Sequence, residues 1–338
     1  MLNKKCHKQS KKEKLMYRIG IDVGGTNIAM GLVDEAYRII RKKSVKTGDD
    51  CSPTRMINVI ADGISELIQD IEGDITLIDA IGVGVPGTAE PDTGKILYAN
   101  NLGFEDVPFL TELRKKLDPK LAEKTFFEND ANAAAIGEYI TGDYDVPVFV
   151  MVTLGTGIGG GIIINGKLLR GCNYAAAEFG HMSVNIDGCD CNCGRKGCFE
   201  DYASATALIE QAKEAMEGDE GKDSLLWQDI KSQDELDGEK FFKAVKAGDK
   251  TAKKVLAGYC DYLAEGLTNI INILQPDVIV LSGGITRAAD LFLDKVKEKV
   301  ARDVYSRDSR INTEITIARG ISDSGDVGII GAALSDKM

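Results

Sequence analysis

Proline is scarce in this chain, 7 residues in 338 against 37 glycines. Most of the glycines stand beside strand-like runs, which argues against disorder and for close backbone contact with a ligand. Positive charge is also in short supply. A formal net charge of -12 excludes a body built to bind nucleic acid. No apolar run is long enough to span a bilayer. No apolar segment follows the first lysines, so a secretory signal is not expected and the reading is cytoplasmic.

What is present is globular in kind: 43% hydrophobic and 28% charged residues, in a length that admits two domains. Lys4, Lys5, Lys8, Lys11, Lys12 and Lys14 read as a solvated tail over residues 1–16. The cysteines are unevenly spread. Cys189, Cys191, Cys193 and Cys198 crowd together, while Cys6, Cys51, Cys172 and Cys260 stand apart. Without an export signal, that grouping reads as metal ligation and not as a disulfide framework.

Along the chain, Tyr17–Val23 reads as a strand, broken at Gly24-Gly25 and answered by Ile28–Val33 in a hairpin. Residues 53–71 carry helical apolar spacing behind Pro53. Ala80–Val85 is a buried strand. Another strand ends at Phe126-Phe127, and an alanine-rich helix then runs to about Tyr139. The pattern restarts with a strand at Val148–Leu154, a glycine-rich turn over 155–161 and a return strand at Ile162–Ile164. Two such hairpins roughly 130 residues apart suggest an internal duplication. A long helix over 250–274 is ended by Pro276, then a strand at Val278–Leu281 leads through Gly283-Gly284 into a further helix. Strands mixed with crossover helices in both halves make the fold α/β with two domains.

Four motifs carry chemistry. In Asp22-Val-Gly24-Gly25-Thr26, bare backbone N–H groups at a hairpin tip suit phosphate, and Asp22 suits a cation such as Mg²⁺; a plain tight turn is the other reading. Gly155-Thr156-Gly157-Ile-Gly-Gly-Gly161 contains G-x-G-x-x-G, which raises an oxidoreductase. A dinucleotide fingerprint must open a helix, however, and here strand residues follow, so a second phosphate hairpin fits better. Glu128-Asn129-Asp130 stands at a strand-to-helix junction, where an acid caps the helix, accepts a proton from a substrate hydroxyl, or does both. His181 with Cys191, Cys193 and Cys198 offers the Cys₃His set of structural zinc. Cys189 leaves an all-cysteine set open.

Taken together, these pieces resemble the ROK family of repressors, open reading frames and kinases, and most closely its bacterial glucokinases, from Tyr17 onward. The joint order of Asp22–Thr26, Glu128–Asp130, Leu154–Gly161, Glu178-Phe-Gly-His181 and Cys191–Glu200 carries the resemblance. It implies the two-domain actin-like, ribonuclease-H-like fold, with ATP and a sugar meeting in a cleft. The expected domains are 17–128 with about 320–338, and 129–319. The last helix is expected to return to the first domain.

By the resemblance, Asp130 is the general base, and Gly87, Asn101, Asn129, Glu178, His181 and Glu200 hold the sugar. Gly24, Gly25, Thr26, Thr156 and Gly157 hold phosphates, and Gly283 and Gly284 pass near the adenosine. His181 puts one ring nitrogen on zinc and the other toward the sugar. ATP, Mg²⁺ and structural Zn²⁺ are the implied cofactors, with no nucleic acid or membrane partner, and a homodimer or dimer of dimers is expected. Two positions depart from the family pattern: Ala177 where glycine is usual, and Phe104 where tryptophan is common. Glucose is the expected sugar, with an N-acetylated mannosamine or glucosamine as the alternative and polyphosphate as an alternative donor. A sugar-sensing regulator is the rival from another class, and only the lysine tail precedes Asp22 where its DNA-binding domain would stand.

Overall fold

A computed structural model describes residues 15–47, 52–99, 102–320 and 324–338. The lysine tail, Cys6, Cys51 and Asn101 lie outside the described residues.

The chain opens with β1 (Tyr17–Val23), β2 (Asn27–Val33), β3 (Ile39–Lys46), α1 (Pro53–Gln69) and β4 (Ile78–Val85). A small three-stranded sheet follows, made of β5 (Thr88–Glu90), β6 (Lys95–Ala99) and β7 (Phe104–Val107). Next come α2 (Phe109–Arg114), α3 (Pro119–Ala122), β8 (Thr125–Asn129) and α4 (Asp130–Thr141). The second half begins with β9 (Val148–Leu154), β10 (Ile158–Ile164) and β11 (Lys167–Leu168). It continues with α5 (Glu200–Ala203), α6 (Ala205–Glu217), α7 (Gly238–Lys246) and α8 (Lys250–Leu274). It ends with β12 (Val278–Ser282), α9 (Leu293–Asp303), β13 (Glu314–Ile317) and α10 (Ser324–Ala333).

Two five-stranded sheets result, in the orders β3-β2-β1-β4-β8 and β11-β10-β9-β12-β13. Each starts with two antiparallel pairings and continues through two parallel ones, so the orders superimpose strand for strand. The repeat expected from the two hairpins is thus present in the whole sheet topology.

Alternation along β1 explains how the first sheet is covered. Ile19, Ile21 and Val23 point to one face and join Met56, Ile60, Ile64 and Leu67 of α1 in a fully buried layer. Arg18, Gly20 and Asp22 point to the other face, where α10 lies. A Cβ on Gly20 would stand 1.8 Å from the Ile329 carbonyl oxygen, and one on Gly82 of β4 would stand 1.7 Å from that of Ala332. No larger residue fits at either point. α4 shares this layer: Gly331 of α10 meets the Ala133 carbonyl, while Ala131 and Ala135 meet Gly159 and Gly161 of β10. α4 and α10 therefore form the packing between the two sheets.

Local signals explain the helix ends. Ser52 caps α1 ahead of Pro53, and Asp249 caps α8 by accepting from the Ala252 N–H at 2.7 Å. Three sequence expectations need correction. The glycine-rich turn spans only Gly155–Gly157, because Gly159–Gly161 lie inside β10, where neighbouring side chains leave no room for a Cβ. The strand expected to end at Phe126-Phe127 runs on to Asn129, whereas the long helix ends at Leu274 as expected, with Gln275 left-handed before Pro276. Beyond Gly283 the chain runs as 3₁₀ turns over Gly284–Leu291, broken at Ala288, before α9 begins.

Candidate active site

Asp130 is the first residue of α4, at the point where α4 passes between the sheets. Its Cα lies 3.6 Å from where a Cβ on Gly84 of β4 would sit, and the next residue packs against Gly159 of β10. Asn129 caps the helix: its Oδ1 accepts from the Asn132 N–H at 3.0 Å, and its Nδ2 donates to the Gly87 carbonyl at 2.9 Å. Gly87 has φ of 83°, and a Cβ there would meet the Tyr98 carbonyl oxygen at 2.1 Å. Only glycine serves at that turn.

The electrostatics of the seam are acidic. Burial, then Asp22, and to a lesser degree Glu178, push the Asp130 carboxyl up to about 7. Burial likewise pushes Asp22 up to about 6, against the opposing charge of Lys42. Glu178 is raised by burial, with His181 lowering it and Glu200 raising it. Asp130 thus feels Asp22 and Glu178, and Glu178 in turn feels His181 and Glu200. Asp22 accepts no hydrogen bond among the described residues. A half-buried carboxylate with no such partner fits a cation.

The two hairpin turns carry the glycines. A Cβ on Gly25 would meet nothing within 4 Å, and neither Gly24 nor Gly25 has positive φ. Glycine here keeps space open and is not required by the backbone. Thr26 is exposed beside it, its carbonyl accepting from the Thr47 N–H. In the second turn Thr156 is exposed, and a Cβ on Gly157 would stand 2.4 Å from Glu200 Oε2. Gly283, with φ of 110°, packs on the Leu154 carbonyl at the base of this turn, and Gly284 has open space above it. The structure thus gathers Thr156, Gly157, Glu200, Gly283 and Gly284 at one end of the second sheet.

His181, Cys191, Cys193 and Cys198 offer ligand atoms all within 4.8 Å of one another. Cys193 and Cys198 sulfurs are 3.6 Å apart, and Cys191 Sγ is 3.8 Å from His181 Nδ1. A zinc tetrahedron with Zn–S bonds of about 2.3 Å has edges of about 3.8 Å, so the set fits zinc. Gly194 and Gly197 adopt the positive φ that lets the loop wrap. Cys189 is exposed and outside the cluster, which favours the His181 set. Burial raises both the Cys191 and Cys198 thiols, a bias that bound zinc would reverse by holding them as thiolates. Glu200 Oε1 lies 3.4 Å from His181 Nδ1, so the cluster borders Glu200.

Three residues of the site had no role in the sequence reading. Lys42 of β3, paired with Asp326, acts on Asp22 through its charge. Gly328 lies against the same carboxylate from α10. Arg170 pairs with Glu128. Glu128 was visible in its motif, whereas nothing local marked the other three.

Residues 18–336 match the family model described as the ROK family. The chain belongs to the ROK family. A glucokinase of Halalkalibacterium halodurans is 35% identical over 312 residues, 92% of each chain. An N-acetyl-D-glucosamine kinase of Shigella flexneri is 30% identical over 278 residues, 79% of this chain and 84% of its own. Among solved structures, a ROK family glucokinase from Streptomyces griseus in complex with glucose and AMPPNP superposes with a TM-score of 0.78. It is 32% identical, covering 94% of this chain and 98% of that one. The ROK membership gives the paired sheets their name: a two-domain actin-like fold. Among the described residues, no helix is long and apolar enough to cross a membrane.

Proposed function

We propose that this ROK protein transfers the γ-phosphoryl group of ATP to a hexose hydroxyl, with glucose and its 6-OH as the substrate. The observation that carries the reading is Asp130 at the seam of the two sheets, with its carboxyl held near 7 and with Asp22 and Glu178 close by. A base poised near neutral pH can take the hydroxyl proton as the oxygen attacks phosphorus. Asn129, Glu178, His181 and Glu200 orient the sugar, and Asn101 joins them in this proposal. The turns at Gly24–Thr26 and Thr156-Gly157 receive the phosphates through backbone N–H groups. Gly283 and Gly284 border the nucleoside.

Asp22 would hold Mg²⁺, which supplies charge neutralisation at the phosphates. Zinc on His181, Cys191, Cys193 and Cys198 would fix His181 and Glu200 in orientation and take no part in the chemistry. Similarity to glucokinases over nearly the whole chain supports glucose. The N-acetylglucosamine kinase relative keeps an N-acetylated hexose as the second reading.

The test is ADP release from Mg·ATP across glucose, mannose, fructose, allose, N-acetylglucosamine and N-acetylmannosamine. Glucose should give the highest kcat/KM. A preference for an N-acetylated sugar would move the specificity and leave the mechanism. Absence of turnover on every sugar would return the regulator reading.

A further inference from the structure

Glu128 is the penultimate residue of β8, and its side chain is only 2% exposed. Each of its oxygens is engaged. Oε1 accepts from the N–H of Asn129, the cap of α4, at 3.0 Å and from Nδ2 of Asn132, in its first turn, at 3.1 Å. Oε2 accepts from Arg170 Nε at 2.8 Å. The Arg170 guanidinium also donates through Nη2 to the main-chain oxygen of Met338 at 3.1 Å. Arg170 lies in the loop that leaves the other sheet, two residues after β11. Leu169 beside it donates to the Ile162 carbonyl of β10, and the Arg170 carbonyl accepts from the Ala176 N–H. The same loop leads on to Glu178 and is fastened again where the Tyr174 hydroxyl donates to Asp92, at 2.5 Å, in the β5–β6 turn.

We propose that Arg170 is a positioning residue for phosphoryl transfer, acting through Glu128 to fix Asn129 and Asp130 relative to the loop that carries Glu178. The inference rests on the sugar-kinase reading above. Asp130 opens the helix that follows β8 of the first sheet, Glu178 lies on the loop that follows β11 of the second, and the Arg170–Glu128 pair joins that loop to β8 immediately beside Asp130. A buried ion pair is by itself weak support for stability, since an apolar pair of the same size often serves as well. What sets this one apart is the use of its oxygens, which organise the helix turn that begins at Asp130. A guanidinium reaches Glu128 and Met338 at once through its fork. A lysine ammonium in its place keeps the charge and loses that geometry.

The experiment compares Arg170→Lys, Arg170→Met and the double variant Glu128→Gln/Arg170→Met in the full chain. It reads kcat and KM for sugar and ATP, together with Tm. Arg170→Lys is expected to fold, with unchanged far-UV circular dichroism, and to lose about 10²-fold in kcat/KM for the sugar, while KM for ATP stays near the parent value. The double variant removes the uncompensated buried charge left by Arg170→Met, so Tm recovers. Its kcat stays low, because nothing then ties the Glu178 loop to β8. Parental kcat/KM in Arg170→Lys, or kcat recovering together with Tm in the double variant, would reduce the pair to a structural one and overturn the proposal. If the parent protein turns over no sugar, the functional reading itself fails, and that result appears before any variant is compared.

Discussion

The carboxylate of Asp22 lies against the main chain of Gly328: a Cβ at 328 would stand 2.4 Å from Oδ2 and 2.7 Å from Cγ. Gly328 is the clearance that allows a half-buried acid to stand at the end of β1. Gly328→Ala should displace Asp22 and raise KM for Mg·ATP by roughly tenfold, the scale of a small misplacement at a reacting centre. Sugar affinity measured by calorimetry without nucleotide should not change. A parental KM for Mg·ATP would mean that the position of Asp22 does not matter to the nucleotide.

Asp130 must be ionised to accept a proton, and its carboxyl is held at about 7. The kcat/KM for sugar should therefore rise with pH through an acid limb near 7. Asp22→Asn removes a neighbour that raises Asp130, so the limb of its residual activity should move to lower pH. The pH–rate profile decides this, and an unmoved limb would count against the coupling.

The same group makes a stability statement of fixed sign. Its pKa is raised on folding from 3.8 to about 7, so the folded state favours the protonated form. Stability from this group is lost as pH rises between those values. Asp130→Asn cannot ionise; it should lose about 10²- to 10⁴-fold in turnover, yet gain Tm over the parent at about pH 8 and not at about pH 4. Calorimetric scans at both pH values test it, and an equal difference at both would refute the assignment.

Cys198 is fully buried within the Cys₃His cluster. Metal analysis of the purified protein should return one zinc per chain, and Cys198→Ser should lose it. Thermal stability should fall and the sugar KM should rise, because His181 and Glu200 are held against the cluster. A verified metal-free protein with an unchanged KM would separate the zinc from the sugar site.

Ala177 has φ of 65°, the left-handed region that costs a residue with a Cβ about 1–2 kcal/mol. Glycine takes this conformation without that cost, so position 177, immediately before Glu178, favours it. Ala177→Gly should stabilise the protein by about 0.5–1 kcal/mol after the entropy of glycine is counted. Denaturant midpoints measure this, and a loss of stability would show that the alanine methyl is packed to advantage.

The strands β1 and β9 and the helix α8 were legible because an apolar run or a 3.6-residue spacing survives in one sequence. The glycines were harder to read. Gly24 and Gly25 lie in a turn, Gly159–Gly161 lie in a strand, and Gly20, Gly82 and Gly331 mark where a helix touches a neighbour's backbone. A sequence shows the missing side chain in each case and says nothing of what takes its place. The edge strand β3, with its IIRKKSVK sequence, carries mostly exposed charge and gave no alternating signal. The site motifs were readable where contiguous. The pairing of Arg170 with Glu128 spans 42 residues and joins a loop to a strand of the other half, a distance over which no spacing rule holds.

Arg18 of β1 donates to the Ala333 carbonyl across 315 residues of chain, and α10 covers the first sheet at Gly20 and Gly82. The sheet that is synthesised first is therefore the last to be closed. Until α10 emerges, the glycine-lined face of β1 and β4 is covered only where α4 meets Gly84, and a nascent chain must wait or be shielded. Cutting the chain before Ser324 would remove little of the second sheet and would leave the first one open.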